Sequence, residues 1–323
     1  MNPGPRSHAE PEDQIKCHAA LMVVSTEESG RLQGATACFV HLAALQSAAL
    51  LLAGGRQNCF FVANITKRQW MRDTDKAWQR FGQIDPYFAV LSHPRFRAAG
   101  KEGETRREFF ESGADHVERI FATIKESLDP EFAPRRALDF GCGVGRVTIP
   151  LARRVTQVVA IDVSDSMLDE AKKNCEEAGV RNVTLLKSDD SLENLSGDFD
   201  FLHSFIVFQH IPSRRGEVIL RALLRRLSDN GIGSLHFIYA SSVPGWRRLA
   251  RKLRATFPWV NNLANLVKGP SFRYPYMEMN NYNVNRLLLY LHEQGCHRVH
   301  LRFCDHGLYK GIVLLFKKET LPL

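Results

Sequence analysis

Between residues 136 and 239 the chain alternates short apolar runs with stretches of helical period. The runs 136–140, 157–161, 183–186, 199–203 and 233–239 have the length and the β-branched and aromatic content of buried strands. The stretches 144–155, 165–178 and 216–227 place apolar residues three and four apart, which predicts helices. Strands that alternate with helices pair in parallel and wind a sheet from both faces. The tail departs from this rhythm. Residues 283–293 read as a helix, and 297–303 with 307–316 as two strands joined by a tight turn. The predicted fold is α/β, a doubly wound, seven-stranded, mostly parallel sheet with a C-terminal antiparallel hairpin, preceded by N-terminal helices.

Upstream, residues 71–128 are helical in pattern and rich in aromatic residues. Asp85-Pro86 and His93-Pro94 cut this region into pieces, because a residue that precedes proline avoids the helical conformation. Val117, Ile120, Phe121, Ile124 and Leu128 form a stripe that should pack on the sheet. Residues 1–70 lack such a pattern. They read either as an upstream extension ahead of a start at Met71 or as a variable N-terminal arm. The expected organisation is an arm over 1–70, a helical cap over 71–128, and one domain over 129–323 that carries a basic insertion at 241–275.

Composition narrows the class. A chain of 323 residues with 44% hydrophobic and 24% charged residues is an ordinary globular protein, not a disordered one. The formal charge of +8 matters chiefly by where it sits. Seven widely spaced cysteines, with no C-x-x-C pair, predict reduced thiols and a cytoplasmic setting. The apolar run 35–53 is broken by His41, Gln46 and Ser47, so neither a membrane span nor a signal peptide is expected there.

The chemistry concentrates at LDFGCGVGR, 138–146, between the first strand and its helix. Glycines at 141, 143 and 145 let the backbone turn tightly and approach a ligand closely. In an open α/β sheet this is the ligand crevice, and Asp162, at the end of the second strand, is placed to accept hydrogen bonds from ribose hydroxyls. A nicotinamide fingerprint needs Gly or Ala where Arg146 stands, and Asp139 would lie against its pyrophosphate, so a dinucleotide is disfavoured. LDFGCGVGR resembles the first motif of class I S-adenosylmethionine-dependent methyltransferases. AIDVSDSML, KSDD and FDFLHSFIVFQHIP resemble the second, third and fourth, and the terminal hairpin is similar to that family's last two strands.

The resemblance covers roughly 105–318 and implies S-adenosyl-L-methionine as cofactor. It implies that Asp139, Gly141, Gly143 and Gly145 lie at the methionine part, Asp162 at the ribose, and Val163 or Met167 on the adenine. Asp189 or Asp190 would face the adenine amino group. Met167 reads equally as helix core, and either aspartate as a solvated loop acid. His210, after the fourth strand, is the expected catalytic base for a hydroxyl acceptor, or else a cap for the helix that begins after Pro212. His203 reads as a satisfied wall residue. The tetrapeptide His203-Ser204-Phe205-Ile206 lacks the [DN]-P-P-[YF] of enzymes that methylate adenine or amide nitrogen.

Two further constellations stand out. Alternation puts His300, Cys304 and His306 on one face of a strand, but Arg298 and Arg302 share that face and zinc spacings are absent, so no metal site is expected. From 241 to 275 there are seven basic and no acidic residues, and Trp246, Leu249, Leu253 and Phe257 recur at helical spacing. This reads as a surface helix docked on the domain, or as a lid for an anionic or lipid-linked acceptor that contacts an anionic membrane surface peripherally. Nucleic acid is disfavoured, because no recognisable binding module accompanies the charge. The expected function is methyl transfer to an oxygen or nitrogen of a small-molecule or lipid-linked acceptor. The alternative is a catalytically silent cofactor-binding protein that docks through its basic segment.

Overall fold

A computed structural model describes residues 74–98, 103–268 and 271–319. The expectations for residues 1–70, including the arm and the apolar run at 35–53, lie outside the described residues. Among the described residues no helix is long and apolar enough to cross a membrane.

The sheet holds β1 (Arg136–Phe140), β2 (Gln157–Asp162), β3 (Val183–Lys187), β4 (Phe199–Ser204), β5 (Leu227–Ser241), β6 (Arg298–His306) and β7 (Tyr309–Lys317). Their order is β3-β2-β1-β4-β5-β7-β6. The first five pair in parallel, and β7 runs antiparallel between β5 and β6. This is the predicted α/β architecture, with its reversal confined to the C-terminal hairpin.

Alternation along each strand feeds two cores. Ala137, Val158, Phe201 and Val313 face one side, where Val117, Ile120 and Ile124 of α3 (Glu104–Ser127) and Leu151 of α4 (Thr148–Ala152) cover them. Leu138, Leu202, Phe237 and Leu314 face the other, under Ile219 and Leu223 of α6 (Ser213–Arg225) and Leu287 and Leu291 of α9 (Val284–Glu293). The helix α5 (Asp165–Glu177) follows β2. Its N-cap Ser164 accepts a hydrogen bond from Met167 N at 3.2 Å.

The helix expected over 144–155 is shorter. Only Thr148–Ala152 is α-helical, because the glycine loop keeps positive φ as far as Gly145 and postpones helix nucleation. Ahead of the sheet, α1 (Thr74–Ile84) and α2 (Pro86–Val90) join a smaller core of Phe81, Tyr87, Phe96, Phe109, Val144 and Met167. That core fixes both helices over the carboxyl ends of β1 and β2. The basic segment forms a hairpin of two helices, α7 (Gly245–Thr256) and α8 (Pro258–Lys268).

Candidate active site

The carboxyl ends of β1, β2 and β4 open onto a cavity roofed by α1 and α2. Its floor is the glycine loop. Gly141 N and Cys142 N both donate to Ile161 O, at 2.8 and 3.0 Å, which folds the loop back across the end of β2. Gly141 and Gly143 hold φ of +75° and +54°. A Cβ on Gly141 would lie 2.4 Å from Val207 Cγ2, and one on Gly143 2.6 Å from Val90 Cγ2. Neither position tolerates a side chain. Gly145 sits deeper, against Ala171 of α5, and is not on the wall.

Asp162 ends β2 at the cavity. Its Oδ2 accepts from Gly143 N at 2.9 Å and its Oδ1 from Ser164 N at 3.0 Å. Desolvation nevertheless pushes its carboxyl up to about 6, since backbone donors do not replace full hydration. Val163 and Met167 form the adjoining apolar wall.

The structure separates two aspartates that the sequence leaves as rivals. Asp189 Oδ1 accepts from Ser191 N, Leu192 N and Ser191 Oγ and so closes the turn after β3; it is not on the cavity wall. Asp190 is on the wall, and both its oxygens take Arg215 Nε at 2.8 Å. The same guanidinium reaches Asp75 at 2.7 and 2.8 Å and Thr74 Oγ1 at 2.9 Å. Arg215 of α6 thereby clamps the first turn of α1 to the loop after β3.

Asp139 departs from the expectation of a cofactor contact. It is 2% exposed and turned into the core. Its Oδ1 takes His203 Nδ1 at 3.0 Å, and its Oδ2 accepts from Thr148 Oγ1 at 2.7 Å. His203 Nε2 in turn meets His116 Nε2 of α3 at 3.0 Å, and burial holds the His116 imidazole neutral. A carboxylate with this many internal partners ties β1, β4, α3 and α4 together beneath the loop. His203 is satisfied, as expected, but inside the core rather than on the wall.

His210 is on the wall, its ring 5.0 Å from that of Trp78 of α1. Nδ1 donates to Glu278 O at 2.7 Å, which fixes the tautomer and leaves Nε2 as the acceptor. Gln209 Nε2 donates to it at 3.0 Å. Burial depresses the imidazole to about 4, so it is neutral near pH 7. The ring does not cap α6, since its two nitrogens engage Glu278 O and Gln209 Nε2.

Sequence reasoning missed Trp78, Arg215 and Ile206. The helical stripe of α1 could have flagged Trp78. Ile206 carries φ of +64° on the cavity wall, a strained backbone for a β-branched residue that no sequence pattern announces.

Beside the cavity lies a second, open groove that shares Thr74 and Arg215 with it. Arg248, Arg251 and Lys252 of α7 line one side, Tyr276 and Tyr309 the other, and Glu278 is the acid among them. Arg251 donates to the Tyr309 hydroxyl, and burial pushes the Tyr276 hydroxyl up to about 12.

The histidines near the C-terminus divide differently from the sequence expectation. His292 pairs with His297 at the surface, Nδ1 to Nδ1 at 3.2 Å. His306 meets His236 of β5, Nε2 to Nε2 at 3.0 Å, and Cys304, not His300, completes a group with donor atoms within 4.8 Å of one another. Gly311 of β7 makes this cross-strand approach geometrically feasible, because a Cβ there would lie 2.7 Å from both Cys304 Sγ and His236 Nε2.

Residues 137–231 match a family described as methyltransferase domain. The 23S rRNA (uracil(1939)-C(5))-methyltransferase RlmD of Burkholderia thailandensis is 33% identical over 111 residues, 34% of this chain. The same enzyme of Burkholderia cenocepacia is 32% identical over 111 residues. The chain spans only 24% of the length of these curated relatives. Among solved structures, the magnesium protoporphyrin IX methyltransferase of Synechocystis with bound SAH is similar at 19% identity and a TM-score of 0.47, covering 73% of this chain and 99% of that one. The N-methyltransferase NodS of Bradyrhizobium japonicum in complex with SAH gives 14% identity and a TM-score of 0.46, covering 76% and 99%.

Proposed function

We propose that this chain, whose residues 137–231 match a methyltransferase domain, is a class I, S-adenosylmethionine-dependent methyltransferase, that its cavity binds S-adenosyl-L-methionine, and that the adjoining groove presents an anionic acceptor to it. The carrying observation is Asp162, a half-buried carboxylate at the end of β2 that faces the cavity over a glycine floor with no room for side chains. A ribose diol would donate its hydroxyls to this carboxylate. In this reading Gly141 and Gly143 approach the methionine part, Val163 and Met167 flank the adenine, and Asp190 faces its amino group. Asp139, Gly145 and Asp189 act indirectly, by holding the loop and its neighbours in place.

The bound cofactor supplies a methyl group on a positively charged sulfur, so the chain's task is to place the acceptor atom in line. Arg248, Arg251 and Lys252 suit a phosphate or carboxylate on that acceptor, and the methyl-accepting atom is an oxygen or a nitrogen. Of the two carriers the sequence allows, a lipid-linked acceptor is favoured, because the helices that line the groove expose an apolar surface beside it. The same surface supports peripheral contact with a membrane. An RNA acceptor, as the names of the curated relatives state for those proteins, remains the competing reading for the groove.

Among the described residues His210 is the only histidine on the cavity wall. In the proposed role its Nε2 takes the acceptor's proton once the Gln209 carboxamide turns away. The second reading, a catalytically silent cofactor-binding protein, is favoured by that existing Gln209 hydrogen bond. Calorimetric titration with S-adenosylhomocysteine, beside NAD and an Asp162→Ala variant, tests the cofactor. Micromolar binding that the variant loses and NAD lacks is expected; equal binding by the variant would remove the proposal. Turnover across a panel of anionic hydroxylated and aminated acceptors then separates enzyme from silent binder. Normal turnover in His210→Ala with an acceptor in hand would remove the base.

A further inference from the structure

The helix hairpin α7–α8 has its polarity reversed. In a helix docked on a globular domain the apolar stripe faces inward. Here α7 has no fully buried residue, and the buried residues of α8 are the amides Asn261 and Asn265. Their Nδ2 groups donate to Tyr274 O at 2.9 and 2.8 Å, and Arg254 donates to both Oδ1 atoms, at 3.0 Å to Asn261 and 3.3 Å to Asn265. The inner side of the hairpin is a hydrogen-bonded seam.

The outer side is apolar. Trp246, Leu249 and Leu253 project from α7 at spacings of three and four, and Leu263, Leu266 and Val267 do so from α8. With Trp259 and Phe272 they make eight of the thirteen exposed large hydrophobic residues among those described; Ile84, Val218, Leu288, Leu289 and Phe303 are the other five. Val267 is 80% exposed and Trp246 69%. Large apolar side chains concentrated on the exposed side of one hairpin mark an interaction surface.

Charge decides the occupant. Arg247, Arg248, Lys252 and Arg273 are exposed around the patch, and no acidic residue occurs from 241 to 277. A second copy of the chain would bring like charge against like charge. An RNA strand would match the arginines but not the exposed leucines and valine. A bilayer with anionic headgroups matches both: aliphatic side chains enter the acyl boundary, the two tryptophans sit at the headgroup level, and the basic side chains reach outward to phosphate.

We propose that the α7–α8 hairpin is a docking surface for anionic membranes, which it enters apolar side first, and that it holds the mouth of the basic groove at the headgroup layer. The placement of the groove rests on the acceptor reading given above; the docking itself does not. Arg248 and Lys252 belong to both the groove and the rim of the patch. An acceptor whose anionic group lies at the membrane surface would therefore reach the cavity without leaving the bilayer.

The test is vesicle co-sedimentation of the full chain with phosphatidylcholine alone and with phosphatidylcholine containing phosphatidylglycerol. At least about tenfold more protein should sediment with the anionic vesicles at low salt, and the difference should shrink as salt screens the charges. Lipids brominated in the acyl chain should quench Trp246 and Trp259, read as the signal lost in the Trp246→Phe/Trp259→Phe double variant. A Leu249→Ser/Leu263→Ser/Val267→Ser variant should stay in the supernatant yet bind S-adenosylhomocysteine like the parent, which shows that it is folded. Retention of vesicle binding by that variant overturns the proposal. So does equal indifference of the parent to both vesicles, a dimer in sedimentation velocity that the serine variant dissolves, or binding of an RNA oligonucleotide in place of vesicles. Failure of the cofactor reading would appear separately, as vesicle binding without nucleoside binding.

Discussion

At Asp162 a single carboxylate carries a pH dependence that can be worked out in sign. Its ordinary value of 3.8 is raised to about 6 in the folded chain. Its contribution to stability is thus fully present below pH ~4 and lost as the pH rises through about 6. A ligand that donates hydroxyls to the carboxylate prefers the ionised form. Affinity for S-adenosylhomocysteine should therefore fall as the pH drops below about 6, with proton release on binding near that value, readable by calorimetry in buffers of different ionisation enthalpy. Asp162→Asn should bind weakly and without this dependence. His210 has the opposite sign: lowered to about 4, its buried neutral ring costs stability progressively as the pH falls below ~6.5. Gly143→Ala should abolish nucleoside binding and also lower Tm, because its Cβ would press on Val90 of the cavity roof at a φ of +54°. Gly311→Ala should cost stability alone. It overpacks the His236–Cys304–His306 group at a cost of about 1–3 kcal/mol, visible in Tm, and leaves binding intact.

Elements explain what the sequence yielded and what it withheld. The parallel strands were legible because strands buried on both faces read as continuous apolar runs, as in Val158–Val159–Ala160–Ile161. The glycine loop and Asp162 were legible because their spacing is local. Asp139 was not, because its partner His203 lies 64 residues away and only the sheet brings the two together. Arg215 was invisible for the same reason, with Asp190 25 residues and Asp75 140 residues distant. Its clamp makes an element-scale prediction. Arg215→Ala should release the first turn of α1, speed proteolysis there, and weaken nucleoside affinity by about tenfold, consistent with the loss of a charge-assisted bidentate pair. Arg215→Lys should rescue only part of this, since an ammonium cannot fork between two carboxylates.

In the molecule as a whole, the cap of α1 and α2, the sheet edge and the basic hairpin surround two spaces that share one wall. Thr74 and Arg215 line both the cavity and the groove. An occupant of the groove would then stand across the path by which a nucleoside leaves the cavity. The kinetic consequence is a compulsory order, with cofactor first on and its demethylated product last off. In initial-rate measurements a dead-end analogue of the acceptor should inhibit uncompetitively against S-adenosylmethionine, where random binding would make it noncompetitive. A random pattern would mean that the shared wall is no barrier. Where the order holds, turnover would be throttled by accumulated product more than by scarce acceptor, and the ratio of the two nucleosides would set the pace of the reaction.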